Sequence, residues 1–188
     1  MKLRRFILPL LATGAAAFVI WRVRYWFWIA RQPDRDVPAL EERSLAEFNR
    51  RFYDALWSRA RLVPPERFNT WPAVRELTAD TAARLEIGPG LRPRLPLRGT
   101  DFVDLSEAAV AALREGGARA TVGTVAALPG DAEVYDFVCA LDIVEHVEDD
   151  AAALREIARV LRPGGRLLLS APLHPDRWTA FDEIVGHS

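Results

Sequence analysis

Hydrophobic and polar positions change rhythm three times along the chain. Lys2, Arg4 and Arg5 precede an uncharged run from Phe6 to Trp21, and Arg22, Arg24 and the aromatic string Tyr25-Trp26-Phe27-Trp28 follow. A helix over that run reaches about 24 Å, slightly short of a hydrocarbon core of about 30 Å. Arginine side chains snorkel and Trp and Tyr favour the headgroup layer, so the pattern predicts a membrane anchor over residues 6–30, either spanning or lying flat. A cleaved signal peptide also fits the basic start and Ala15-Ala16-Ala17, but cleavage would leave an exposed aromatic terminus, which favours an uncleaved anchor.

The second rhythm is helical. Gln32 to Leu40, with Pro33 and Pro38, reads as a linker. Ser44-Leu45-Ala46-Glu47 has a capping-box pattern, and Leu45, Phe48, Phe52 and Leu56 recur at spacings of three and four, which predicts an amphipathic helix to about Arg61. Pro64-Pro65 stops it, and a second short helix begins at Thr70-Trp71-Pro72.

From Arg84 the third rhythm alternates strand and helix. Strands are expected at Arg84–Ile87, Thr100–Val103, Ala118–Val122, Tyr135–Ala140 and Arg166–Ser170. Ser106 caps a helix to about Arg114, and Asp149 and Asp150 start another carrying Leu154, Ile157, Ala158 and Leu161. This order predicts an α/β fold: a Rossmann-like parallel sheet with helices on both faces, preceded by an N-terminal hydrophobic helix. Ligands of such sheets bind at the carboxyl ends of the strands, where strand order reverses.

Composition narrows the chemistry. The 188 residues hold half hydrophobic and 27% charged positions, enough for a single core. Residues 1–31 carry +6 and the remainder −7, and an acidic body without a basic stripe excludes nucleic acid as the main partner. One cysteine, Cys139, forbids an internal disulfide, and three histidines without paired cysteines argue against a metal site.

Three features fall at the predicted strand ends. Gly88 and Gly90 bracket a tight turn that a ligand can approach, Glu86 precedes it and can pair with an ammonium group, and Asp104 closes the next strand, where a carboxylate can accept both hydroxyls of a ribose. Each alone is commonplace. Their order and spacing raise the odds.

The stretches LEIGPG (85–90), FVDLS (102–106), ALPG (127–130), YDFVCALDIVEHV (135–147) and EIARVLRPGGRLLLSAP (156–172) resemble the class I S-adenosylmethionine-dependent methyltransferases of the small-molecule type. The resemblance covers about residues 84–175. It implies an enzyme with S-adenosyl-L-methionine as cofactor, its methionine portion held by Glu86, Gly88 and Gly90 and its ribose by Asp104. It further implies that Leu105 lies beside the adenine, Ala127 and Leu128 near the adenine edge, and Leu141 and Asp142 against the bound cofactor. Asp142, Glu145 and His146 are the candidates for an acceptor-side base, and His174 for an acceptor-side contact.

Departures from the family pattern are as informative. Arg92 stands where a third glycine is common, Pro93 and Pro96 prevent a long helix after the glycine turn, and Thr124 occupies the place of an acid that contacts the adenine amine. The chain stops soon after the fifth strand, which reads as a seven-stranded fold lacking its last strands. The expected organisation is an anchor at 1–31, a linker and helical cover at 32–80, and the cofactor-binding domain at 81–188. The expected function is methyl transfer to a small-molecule or lipid-like acceptor by a membrane-associated enzyme with its catalytic domain on the cytoplasmic side. The competing reading is a truncated, catalytically inactive remnant that binds the cofactor.

Overall fold

A computed structural model describes residues 45–171. Two helices lead, α1 (Leu45–Trp57) and α2 (Trp71–Leu77), followed by β1 (Arg84–Ile87), β2 (Thr100–Asp104), α3 (Glu107–Glu115), β3 (Arg119–Val122), β4 (Tyr135–Leu141), α4 (Asp150–Val160) and β5 (Leu161–Ser170). The strands form one sheet in the order β3-β2-β1-β4-β5, and every pairing is parallel. The order reverses between β1 and β4.

Strand alternation divides the core between two faces. Leu85, Ile87, Val103, Val138 and Ala140 face α4, where they pack against Ala153, Ile157 and Val160. On the opposite face Phe102 meets Val110 and Leu113 of α3, while Phe137 and Cys139 meet Val74 of α2 and Leu95. This is the three-layer arrangement that the alternation predicts.

Local chemistry sets the ends of these elements. Ser106 Oγ accepts the Ala109 N–H at 3.1 Å and so caps α3, and Asp149 Oδ1 accepts the Ala152 N–H at 2.7 Å and caps α4. β5 begins earlier than expected: Tyr135 pairs with Leu161 and Phe137 with Arg166, so residues 162–165 leave the ladder as an irregular excursion.

Between β1 and β2 there is no helix. Parallel neighbours usually need one to make the crossover; here residues 88–99 do it with Leu91 and Leu95 buried at 1% and 0% exposure. Pro93 and Pro96 forbid helical hydrogen bonding in that stretch. The Glu86 carboxylate replaces it, accepting the Arg94 N–H at 2.8 and 3.1 Å and the Leu95 N–H at 2.8 Å.

The membrane expectation is corrected. Among the described residues no helix is long and apolar enough to cross a membrane; the longest, α1, has 13 residues and reaches about 20 Å against about 30 Å of hydrocarbon. The transmembrane helix, the membrane partner through residues 6–30 and the membrane-associated placement with a cytoplasmic catalytic side are withdrawn. So is the argument for a lipid-like acceptor that rested on them. Residues 6–30, His174 and everything from residue 172 onward, where further strands were expected to be missing, lie outside the described residues.

Candidate functional site

A cavity of about 740 Å³ opens at the carboxyl ends of β1, β2 and β4, beside the reversal of strand order. Its volume is that of a small-molecule or cofactor site. The glycine turn forms its floor. Gly88 and Gly90 have φ of +63° and +52°, the left-handed region that residues with a Cβ avoid. A Cβ on Gly88 would lie 2.1 Å from Ile143 Cδ1, and one on Gly90 2.3 Å from the Trp57 ring.

Asp104 ties β2 to that turn. Its Oδ2 accepts the Gly90 N–H and its Oδ1 the Ser106 N–H, both at 2.8 Å. Buried at 5% exposure, the carboxyl is pushed above its ordinary value by desolvation, which these two N–H groups oppose. Ser106 Oγ in turn donates to Asp54 Oδ1 at 2.9 Å, and the Ala108 N–H donates to the same oxygen at 2.8 Å. Those bonds, the Ala108 N–H first, hold Asp54 below the usual carboxylate range. Through Asp54, α1 is fastened to the end of β2.

Glu86, 3% exposed, lines the cavity. Burial pushes its carboxyl up to about 7, against the lowering effect of the Leu95 and Arg94 N–H bonds. On the far wall, after β4, a short 3₁₀ turn (Val144–His146) carries Glu145 and His146. Glu145 is 6% exposed, and burial, reinforced by Asp142, pushes it up to about 7. Asn49 of α1, 3% exposed, donates from Nδ2 to the His146 carbonyl at 3.5 Å. Tyr53 Oη lies 3.3 Å from His146 Nε2. Among the described residues, two buried acceptor atoms in this wall have no hydrogen-bond donor: Glu145 Oε2 and Asn49 Oδ1.

The structure gathers most of the residues singled out from sequence around this one cavity. Glu86, Gly88, Asp104, Leu105, Leu141, Asp142, Glu145 and His146 all line it, and Gly90 is joined to it through Asp104. Asp142 has φ +56° and accepts from Ser170 Oγ at 2.8 Å, an uncommon backbone state of the kind found at binding sites. Ala127 and Leu128 are elsewhere: Leu128 is buried in the core against α4, and its N–H donates to Glu156 Oε2 at 2.9 Å. Gly123, Thr124 and Val125 line the cavity in their place.

Sequence reasoning missed Asn49, Tyr53, Trp57 and Arg94, which also line it. Asn49, Tyr53 and Trp57 recur every four residues, a second stripe on α1 that the apolar positions concealed. Among the described residues no cluster of His, Cys, Asp and Glu is arranged to hold a metal ion.

The raised carboxyls have a consequence for stability. A folded-state pKa above the unfolded one means that the folded chain binds more protons between the two values, so stability falls as pH rises through that window. For Glu86 and Glu145 the window runs from about 4.5 to about 7, and each opposes folding by up to about 3 kcal/mol above it. The urea midpoint of the unliganded chain is therefore expected to be lower at pH 8 than at pH 5.5, by about 1 M or more. Equal midpoints would show that both groups ionise as they do in water.

Comparison with known proteins agrees with the geometry. A family described as "Methyltransferase domain" matches residues 95–169. A solved structure from Thermotoga maritima, described as an S-adenosylmethionine-dependent methyltransferase and possible histamine N-methyltransferase, superposes with a TM-score of 0.52 at 27% identity, covering 67% of this chain and 61% of that one. The fold is that of the class I S-adenosylmethionine-dependent methyltransferases. S-adenosyl-L-methionine is the cofactor, and the left-handed glycine turn, the carboxylate of Asp104 and the cavity volume suit that group. The demethylmenaquinone methyltransferase of Mycobacterium tuberculosis (strain ATCC 25618 / H37Rv) is 35% identical over 122 residues, 56% of this chain and 52% of that protein. The ubiquinone biosynthesis O-methyltransferase of Marinobacter nauticus is 32% identical over 120 residues, 57% of this chain and 50% of that protein. The chain thus spans about half the length of these relatives.

Proposed function

We propose that the protein transfers a methyl group from S-adenosyl-L-methionine to a small-molecule acceptor bearing a hydroxyl, of the quinol or phenol kind. The observation that carries the acceptor side is a pair of buried acceptor atoms without a donor among the described residues, Glu145 Oε2 and Asn49 Oδ1, both belonging to residues that line one cavity. A buried acceptor left unpaired costs about 1–3 kcal/mol. The ligand group that relieves it is a hydrogen-bond donor, and a hydroxyl is one that can also be methylated. The relative named as a ubiquinone biosynthesis O-methyltransferase supports an acceptor methylated at oxygen, and the demethylmenaquinone methyltransferase supports a quinone-type ring.

When bound, S-adenosyl-L-methionine supplies an activated methyl group on a sulfonium. The residues of this chain position and deprotonate. Glu86 and the Gly88–Gly90 turn would hold the methionine end, Asp104 would accept the ribose hydroxyls, and Leu105, Thr124 and Val125 would wall the adenine. Residues 45–57 cover the acceptor, with Asn49 and Tyr53 beside it. Glu145, with its carboxyl near 7, takes the hydroxyl proton as general base, and a base poised near the working pH contributes about 10²–10⁴ in rate. Orientation of the acceptor oxygen toward the methyl group supplies about 7–11 kcal/mol more.

The full chain is tested by calorimetric titration with S-adenosylhomocysteine, followed by methyl transfer from S-adenosyl-L-methionine to catechol and to 1,4-naphthohydroquinone. Saturable micromolar binding and turnover on a hydroxylated acceptor are expected. Binding without any turnover would leave a cofactor binder, and no binding at millimolar ligand would sink the proposal.

A further inference from the structure

We propose that Arg94 is the residue that recognises the carboxylate of the cofactor's amino-acid end, taking over from the helix that the β1–β2 crossover lacks. The inference rests on the cofactor site proposed above and concerns how one end of that site is built.

A helix that follows a glycine turn presents aligned N–H groups and a positive dipole end to an anion. This chain has no helix between β1 and β2, because Pro93 and Pro96 remove donors and fix the backbone. Two N–H groups in that stretch, those of Arg94 and Leu95, are already consumed by the Glu86 carboxylate. An anionic ligand group at this end of the cavity therefore needs a positive charge from a side chain.

Arg94 has that charge and is held in place. It lines the cavity together with Glu86, and its guanidinium carbon sits 3.8 Å from the centroid of the Phe68 ring, a cation–π contact that limits the side chain's freedom. None of the ion pairs among the described residues involves it. Its backbone N–H bonds Glu86, so the acid and the base are anchored to one another. A buried carboxylate and a nearby guanidinium that is in no close ion pair among the described residues match the ammonium and carboxylate of an α-amino acid. Arg92, also at the cavity, is exposed to solvent and is the weaker choice because nothing immobilises it.

The test compares two ligands by calorimetry on the full chain: S-adenosylhomocysteine, which has the amino-acid end, and methylthioadenosine, which lacks it. Arg94→Ala is expected to weaken S-adenosylhomocysteine by about 30-fold, as fits a lost charge-assisted contact. Methylthioadenosine is expected to stay within twofold, which also reports that the variant is folded. Phe68→Leu, which frees the guanidinium but keeps it, is expected to weaken S-adenosylhomocysteine several-fold and methylthioadenosine not at all. An Arg94→Ala affinity within threefold of wild type overturns the inference, as does an equal loss for both ligands, which would mark a role in crossover packing. Wild-type protein that binds methylthioadenosine as tightly as S-adenosylhomocysteine overturns it while leaving the nucleoside site intact. Wild-type protein that binds neither ligand overturns the proposed cofactor site itself.

Discussion

Asp104→Ala lowers the affinity for S-adenosylhomocysteine by about a hundredfold or more. Hydrogen bonds to a charged acceptor contribute about 1.5–3 kcal/mol each, and the proposed role gives this carboxylate two ribose hydroxyls. Losing both costs at least about 3 kcal/mol, which corresponds to more than two orders of magnitude in affinity. The same substitution strands the Gly90 and Ser106 N–H groups that Asp104 now accepts at 2.8 Å. A lower urea midpoint is expected alongside the weaker binding. Asp104→Asn separates the two effects, since the amide oxygen keeps one acceptor of the pair. Calorimetry and denaturation on the three proteins make the check. Full affinity in the alanine variant would place the ribose elsewhere.

The second large effect is on turnover. Glu145→Gln preserves size and a hydrogen-bonding end but cannot take a proton at neutral pH. It is expected to reduce kcat on a hydroxylated acceptor by about 10²–10⁴, with S-adenosylhomocysteine affinity unchanged. In the wild type, kcat is expected to rise with pH through about 7, where the Glu145 carboxyl ionises, and the variant to lose that limb. Single-turnover rates across pH 5.5–8.5 test both statements. Unaltered turnover in the variant would remove Glu145 from the chemistry, and a lost affinity would make it part of the cofactor's wall.

Much of this architecture was legible in the linear chain because its strands are short, apolar and bounded by turn residues. β1 appears where it was expected, and β2 and β4 run one residue further than read. Ser106 caps the helix it was expected to cap, and Asp149 caps the helix that it and Asp150 were expected to start. That the candidate cofactor-side residues fall around one cavity was legible for a related reason: a sheet with this order places its strand ends together whatever the intervening loops do.

Side-chain partners were less accessible. Leu45, Phe48, Phe52 and Leu56 read as the inward stripe of α1, yet Leu56 is 44% exposed and Asn49 only 3%. That helix lies over a cavity, and a cavity wall favours polar groups where a core would favour apolar ones. Leu128 followed the same logic in reverse. It was assigned to the adenine edge by family resemblance, but Glu156 and Arg159 of α4 clasp its N–H and its carbonyl at 2.9 and 2.8 Å and draw it inward. The missing crossover helix was legible from Pro93 and Pro96, but the place of Arg94 beside Glu86 was not, because backbone hydrogen bonds in an irregular stretch set it and such a stretch has no periodicity to read.

The bond from Ser106 to Asp54 has a bearing on how such enzymes diversify. Acceptor preference in a domain of this kind is most easily altered by exchanging the segment that roofs the pocket. Here α1 and the strand end that carries Asp104 share a fastening, so a replacement segment that omits an acid at the level of Asp54 would unsettle the start of α3 and, with it, the carboxylate next to Gly90. Changes of substrate range should therefore accumulate at Asn49, more than one turn before Asp54, and at the adjacent Tyr53, while the fastening itself is retained.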